Sequence, residues 1–97
     1  MTLRSLQRLE SKLHNDLVHQ GAEDELDLKL ELVQKVYACL QETSQGKIKS
    51  GIPYERISIF LIEHAKNLPY QELYQGVIRY VISWIGMLMQ IKSRFII

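Results

Sequence analysis

A single cysteine, Cys39, leaves this 97-residue chain without any internal disulfide, so packing alone must hold its core. That usage suits a reducing cytosol, and a lone thiol among apolar helical positions is expected to be buried and structural. Net charge is scarce too: 12 basic against 11 acidic side chains leave +1, and the basic residues are not clustered on one face. A nucleic-acid footprint is therefore not expected. Long apolar runs are missing. The most apolar stretch, Val77 to Ile91, contains Arg79 and falls short of the ~20 residues that a spanning helix needs. The opening MTLRSLQRLESKL spaces leucines among charges, so it reads as helix and not as a secretory signal. Prolines number two and glycines five, and neither repeats nor strand-like alternation occur. What remains is a chain of one-domain length, 46% hydrophobic and 24% charged, enough for an ordinary core.

What is present is helical periodicity. Leu3, Leu6, Leu9 (or Glu10 beside it), Leu13 and Leu17 recur at three- and four-residue steps, which aligns them on one stripe of a first helix, about 2–19, with Thr2 as cap and Gly21 as stop. A second helix, about 23–44, opens in Glu23-Asp24-Glu25, whose carboxylates suit a helix start. Leu26, Leu30, Val33, Tyr37 and Leu40 form its stripe, and Leu28, Leu32, Val36 and Cys39 widen it. So wide an arc implies a central helix with at least two neighbours. Gly46 to Gly51 reads as a loop, after which Pro53, with Ser50 as a nearby cap, opens a third helix, about 53–67. Ile57, Phe60, Leu61 and Ala65 are its expected stripe, flanked by Ile59 and Ile62. Pro69 closes that helix and opens a fourth, about 69–93. Leu73, Val77, Tyr80 or Val81, Trp84, Leu88 and Ile91 mark one of its faces; Ile78, Ile82, Ile85 and Met89 mark the next. Short connections between four amphipathic helices predict an all-α, antiparallel up-down-up-down four-helix bundle spanning residues 1–97. An acidic second quarter beside a basic second half predicts complementary packing within it.

No constellation for catalysis emerges. His14 and His19 are five residues apart, off each other's face, His64 stands alone, and no cysteine pair exists, so zinc is not expected. Glu23-Asp24-Glu25-Asp27 lacks the spacing and central glycine of a calcium loop. GKIKSG lacks Walker spacing and a preceding strand. No serine, nor Cys39, has a base marked for it. The expectation is a non-enzyme without cofactor or metal.

Two segments carry a resemblance. Leu32-Val33-Gln34-Lys35-Val36-Tyr37, within LELVQKVYACLQ, resembles the second-helix region of the enterocin A immunity protein family. Tyr70-Gln71-Glu72-Leu73, followed by Ile78-Arg79 and Ile85-Gly86, is similar to that family's Tyr-Gln-Glu stretch, Ile-Arg pair and later Ile-Gly. The likeness covers roughly residues 26–86; several members carry a longer polar tail after the fourth helix. It implies a cytoplasmic four-helix bundle that protects bacteria from pediocin-like (class IIa) bacteriocins. The implied partner is the membrane receptor complex, the mannose phosphotransferase permease with bacteriocin bound, with peripheral contact at the inner membrane face. Lys92, Arg94 and Phe95 are the expected contact residues, with Trp84 as a further candidate. A reading of a different class is a helical adaptor that homodimerises through an apolar face of the fourth helix.

Overall fold

In the computed structural model, backbone is described for residues 2–20, 24–47 and 51–95, and side chains for 2–18, 25–47 and 51–84. Four helices account for most of it: α1 (Thr2–Gln20), α2 (Asp24–Ser44), α3 (Tyr54–His64) and α4 (Tyr70–Phe95), and no strand occurs among the described residues. Gly21 and Ser50, expected as stop and cap, lie outside the described residues.

Local chemistry sets the boundaries. At the end of α2, Gly46 adopts φ +76° and donates its N–H to Thr43 O, while Lys47 N–H reaches Glu42 O. This paired arrangement caps the last carbonyls, and glycine enters the left-handed region without steric cost. Pro53 sits just before α3, not in its first turn. With φ −77° and ψ 65°, and Tyr54 N–H bonded to Ile52 O at 2.8 Å, it is the centre of an inverse γ-turn. The expected third helix is thus trimmed at its start, and at its end too. It stops at His64, whose carbonyl accepts from both Asn67 and Leu68 N–H. Pro69 holds Leu68 out of the α region, so the turn cannot continue. The fourth helix runs two residues further than the periodicity predicts, to Phe95.

α4 begins with help from another helix. The Tyr70 N–H, one of the donors that a helix start leaves unpaired, bonds to Glu25 Oε1 of α2 at 2.9 Å. Glu25 also stands 3.7 Å from Lys29 Nζ, one turn on. Glu25→Ala removes both contacts; because its side chain is half-exposed, the expected loss is only about 1–2 kcal/mol. Amide exchange at residues 70–73 checks this: unchanged protection of Tyr70 would show that the cap is not used.

α2 packs against all three other helices, as its wide apolar arc predicts; α3 does likewise, whereas α1 and α4 do not meet among the described residues. The core unites Leu6, Leu9 and Leu13 of α1, Leu30, Leu32, Val33 and Val36 of α2, Ile57, Leu61 and Ala65, and Leu73 and Val77 of α4. Ser58, fully buried beside them, donates its hydroxyl to Tyr54 O at 2.7 Å, which removes the cost of an unpaired polar group.

Three side chains depart from the expected stripes. Leu28 is 42% exposed whereas its neighbour Lys29 is 6% exposed, the reverse of their hydropathy. One helical step turns Lys29 toward a cleft edged by α1 and the end of α3, where its long apolar stem is covered. Ile59 and Ile82, placed on widened faces by their spacing, are exposed at 44% and 60%. Cys39 is half-buried rather than fully enclosed.

Candidate interaction surface

A chain that buries its first three helices around one core leaves α4 as the helix with most length to spare. Its 26 residues rise roughly 39 Å, against about 16 Å for the 11 of α3. Among the described residues, α4 supplies Leu73 and Val77 to the core. Two glycines, Gly76 on α4 and Gly51 ahead of α3, allow close approaches between α4 and its surroundings.

At Gly76 the ring of Phe60 lies directly on the α4 backbone: a Cβ there would overlap Phe60 Cζ and Cε1. Phe60 in turn contacts His64, with centroids 5.0 Å apart, and Tyr80 edge-on at 6.0 Å. This aromatic triad seals α3 to α4 while keeping one side open to solvent. Gly76→Ala gains about 1 kcal/mol of helix propensity but forces the ring out of its seat, an overpacking cost of about 1–3 kcal/mol. The expected net is a destabilisation of about 1 kcal/mol, turning into stabilisation when Phe60 is also replaced by leucine. Additive effects in that double-mutant cycle would remove the ring from its assigned place.

Trp84 is held by the second close approach. Its indole Nε1 lies where a Cβ on Gly51 would come within 2.8 Å, so the ring packs over the segment that leads into α3. The indole is half-buried, so part of its surface is free and part serves the fold. Because Trp84 is level with residues just ahead of α3, residues 85–95 carry the α4 backbone beyond the start of that helix. Lys92, Arg94 and Phe95 fall in this continuation; their side chains lie outside the described residues, as do Ile96 and Ile97. Of the four candidate contact residues, then, only Trp84 is given surroundings.

Between α3 and α4 runs an open groove of about 730 Å³ lined by Phe60, Leu68, Gln71, Glu72, Gln75 and Arg79, with Gly76 at its floor. Arg79 is exposed and forms no ion pair among the described residues. Ile82, one turn from Ile78, continues the outer apolar edge. An isolated glycine is the one signal that the sequence offers at Gly51 and Gly76, and only the packed structure shows what approaches it.

No three His, Cys, Asp or Glu side chains converge to hold a metal ion among the described residues. Likewise, no helix searched is long and apolar enough to cross a membrane. The described residues are all-helical, and α4 together with α3 offers a mixed aromatic, amide and arginine surface. No family model, curated protein or solved structure matches the chain.

Proposed function

We propose that this protein is a bacteriocin immunity protein of the enterocin A immunity type. Its four helices form an antiparallel up-down-up-down bundle that acts without catalysis at the cytoplasmic face of the membrane. It binds the mannose phosphotransferase permease once a pediocin-like bacteriocin has engaged it. The observation that carries the reading is the coincidence of sequence likeness with an unspent surface. The QKVY segment belongs to α2 and the YQEL segment opens α4, two helices in contact. From there α4 continues through exposed Arg79 and Ile82 toward Lys92, Arg94 and Phe95. Basic side chains at that end favour an anionic membrane surface by about 1 kcal/mol each, so a protein receptor supplies most of the affinity.

The antiparallel order draws support from pairs between helices. Glu10 accepts from Gln34 at 3.4 Å, and near the start of α1, Leu3 shares a groove with Tyr37 and Leu40 of α2. Rising numbers on one helix meet falling numbers on the other. Glu25 at the start of α2 meets Tyr70 at the start of α4, as two helices of the same direction would.

The test is a protection assay: the chain is expressed in a sensitive Gram-positive strain and challenged with a panel of pediocin-like bacteriocins. Tolerance to one peptide with others unaffected is the expected result, and no protection against any peptide overturns the reading. Deleting residues 93–97 is expected to abolish protection while circular dichroism stays helical; full protection by the truncated chain would remove that end from the mechanism.

The adaptor reading keeps one specific observation in its favour, the exposure of Ile59 and Ile82 on adjacent helices. Sedimentation separates the two. A tight dimer that shields Trp84 supports the adaptor, and a stable monomer supports immunity.

A further inference from the structure

Three lysines from separate parts of the chain converge on one cleft. Lys12 of α1, Lys29 of α2 and Lys66, just past α3, line a space of about 450 Å³, with Asp16 and Glu25 as the acidic members and Leu13 and Ala65 buried at its floor. Lys29 is 6% exposed, unusual for a lysine, and its ammonium stands 3.7 Å from Glu25 Oε1. That same oxygen accepts the Tyr70 N–H at 2.9 Å, so the carboxylate is divided between a cation and a helix start. Glu25 is therefore committed elsewhere, and among the described residues of the cleft Asp16 is the acidic group left to balance Lys12 and Lys66.

Those two side chains line the same cleft. Two ammonium groups so placed repel. The contact with Lys12, followed by desolvation, holds the Lys66 amine below the usual lysine range, while Asp16 acts the other way. Both lysines are exposed and have solvent to turn into, yet their helices bring them to the same mouth. An oxyanion between them would replace repulsion by charge-assisted hydrogen bonds, which are the strong ones. Lysine ammoniums supply such bonds as point charges with rotatable donors, a match for a tetrahedral anion.

We propose that this cleft binds a small oxyanion of the phosphate or phosphomonoester class, gripped by Lys12 and Lys66 with buried Lys29 adding its field from the floor. Free phosphate and a phosphomonoester lipid headgroup present the same chemistry, and the experiment separates them. Lysine side-chain NMR of the full chain is followed while sodium phosphate is added, against sodium chloride at matched ionic strength. The Lys12 and Lys66 signals shift saturably with phosphate only, and the Lys66 titration moves up toward the ordinary lysine range. Lys66→Gln weakens phosphate binding about tenfold, as loss of a charged hydrogen bond does. Asp16→Asn strengthens it, and Lys35→Gln, the same charge change on an exposed residue of α2 away from the cleft, leaves it unaltered. Equal shifts in chloride, or equal weakening by Lys35→Gln and Lys66→Gln, would overturn the site as mere ionic screening. In a second arm the chain is sedimented with phosphatidylcholine vesicles with and without phosphatidic acid. Retention that needs phosphatidic acid and fails in Lys66→Gln assigns the headgroup, whereas saturable phosphate binding without retention assigns a soluble anion.

Discussion

Leu61→Ala is expected to lower the unfolding free energy by about 3 kcal/mol, within the 2–5 kcal/mol typical of deleting a buried leucine side chain. The residue has no exposed surface and sits on α3, the one short helix that touches all three others. Eleven residues are too few for a helix to persist unaided in water, so α3 exists because its buried face is occupied. Removing Leu61 opens a cavity where the other helices meet it, and α1 and α4, which do not touch among the described residues, lose a shared support. Set against the 5–15 kcal/mol of a typical domain, about 3 kcal/mol is a large part of the total. Ile59→Ala serves as the comparison, since Ile59 is on the same helix but 44% exposed; its cost should stay under about 1 kcal/mol. Urea titration followed by circular dichroism measures both. Equal losses for the two variants would mean that α3 is not held by the face bearing Leu61.

Gly51→Ala is expected to cost nearly as much, about 2–4 kcal/mol, although only a methyl is added. Two separate penalties combine there. Gly51 has φ +69°, where an L-residue with a Cβ loses roughly 1–2 kcal/mol. The new Cβ would also stand 2.8 Å from Trp84 Nε1 and 3.1 Å from Cζ2, so the indole must shift, an overpacking cost of about 1–3 kcal/mol. Trp84 is the chain's only tryptophan, which makes its fluorescence a direct reporter. A shifted emission in the folded variant, together with a lower urea midpoint, is the expected pair of results. Gly51→Ala in a Trp84→Ala background should lose only the backbone part. If the single variant matches the parent in both emission and midpoint, the indole does not pack on Gly51.

The sequence carried the number and kind of elements because helical periodicity is a local property. Leu6, Leu9 and Leu13, or Ile57, Leu61 and Ala65, announce a buried face by spacing alone, and all six are buried. Gly46 likewise announces the end of α2, since its conformation is needed whatever packs nearby. The limits of such reading show where an apolar arc is wider than the space available. Leu28 and Ile82 have the hydropathy of core residues, but a helix can bury only the sectors its neighbours reach, and these two face outward.

What only the tertiary structure decided are the contacts between elements distant in sequence. The bond from Tyr70 to Glu25 joins residues 45 apart, so an acidic run that reads as the start of α2 also starts α4. Gly51 and Gly76 look like ordinary small residues until Trp84 and Phe60 are seen lying on them. Lys29 reads as solvated from its charge, yet it is enclosed because the ends of α1 and α3 arrive on its side of α2. Periodicity says which way a side chain points relative to its own helix. It carries no information about which other helix stands there, because that depends on the sum of all packing choices, and both the Trp84 contact and the lysine cleft are products of that sum.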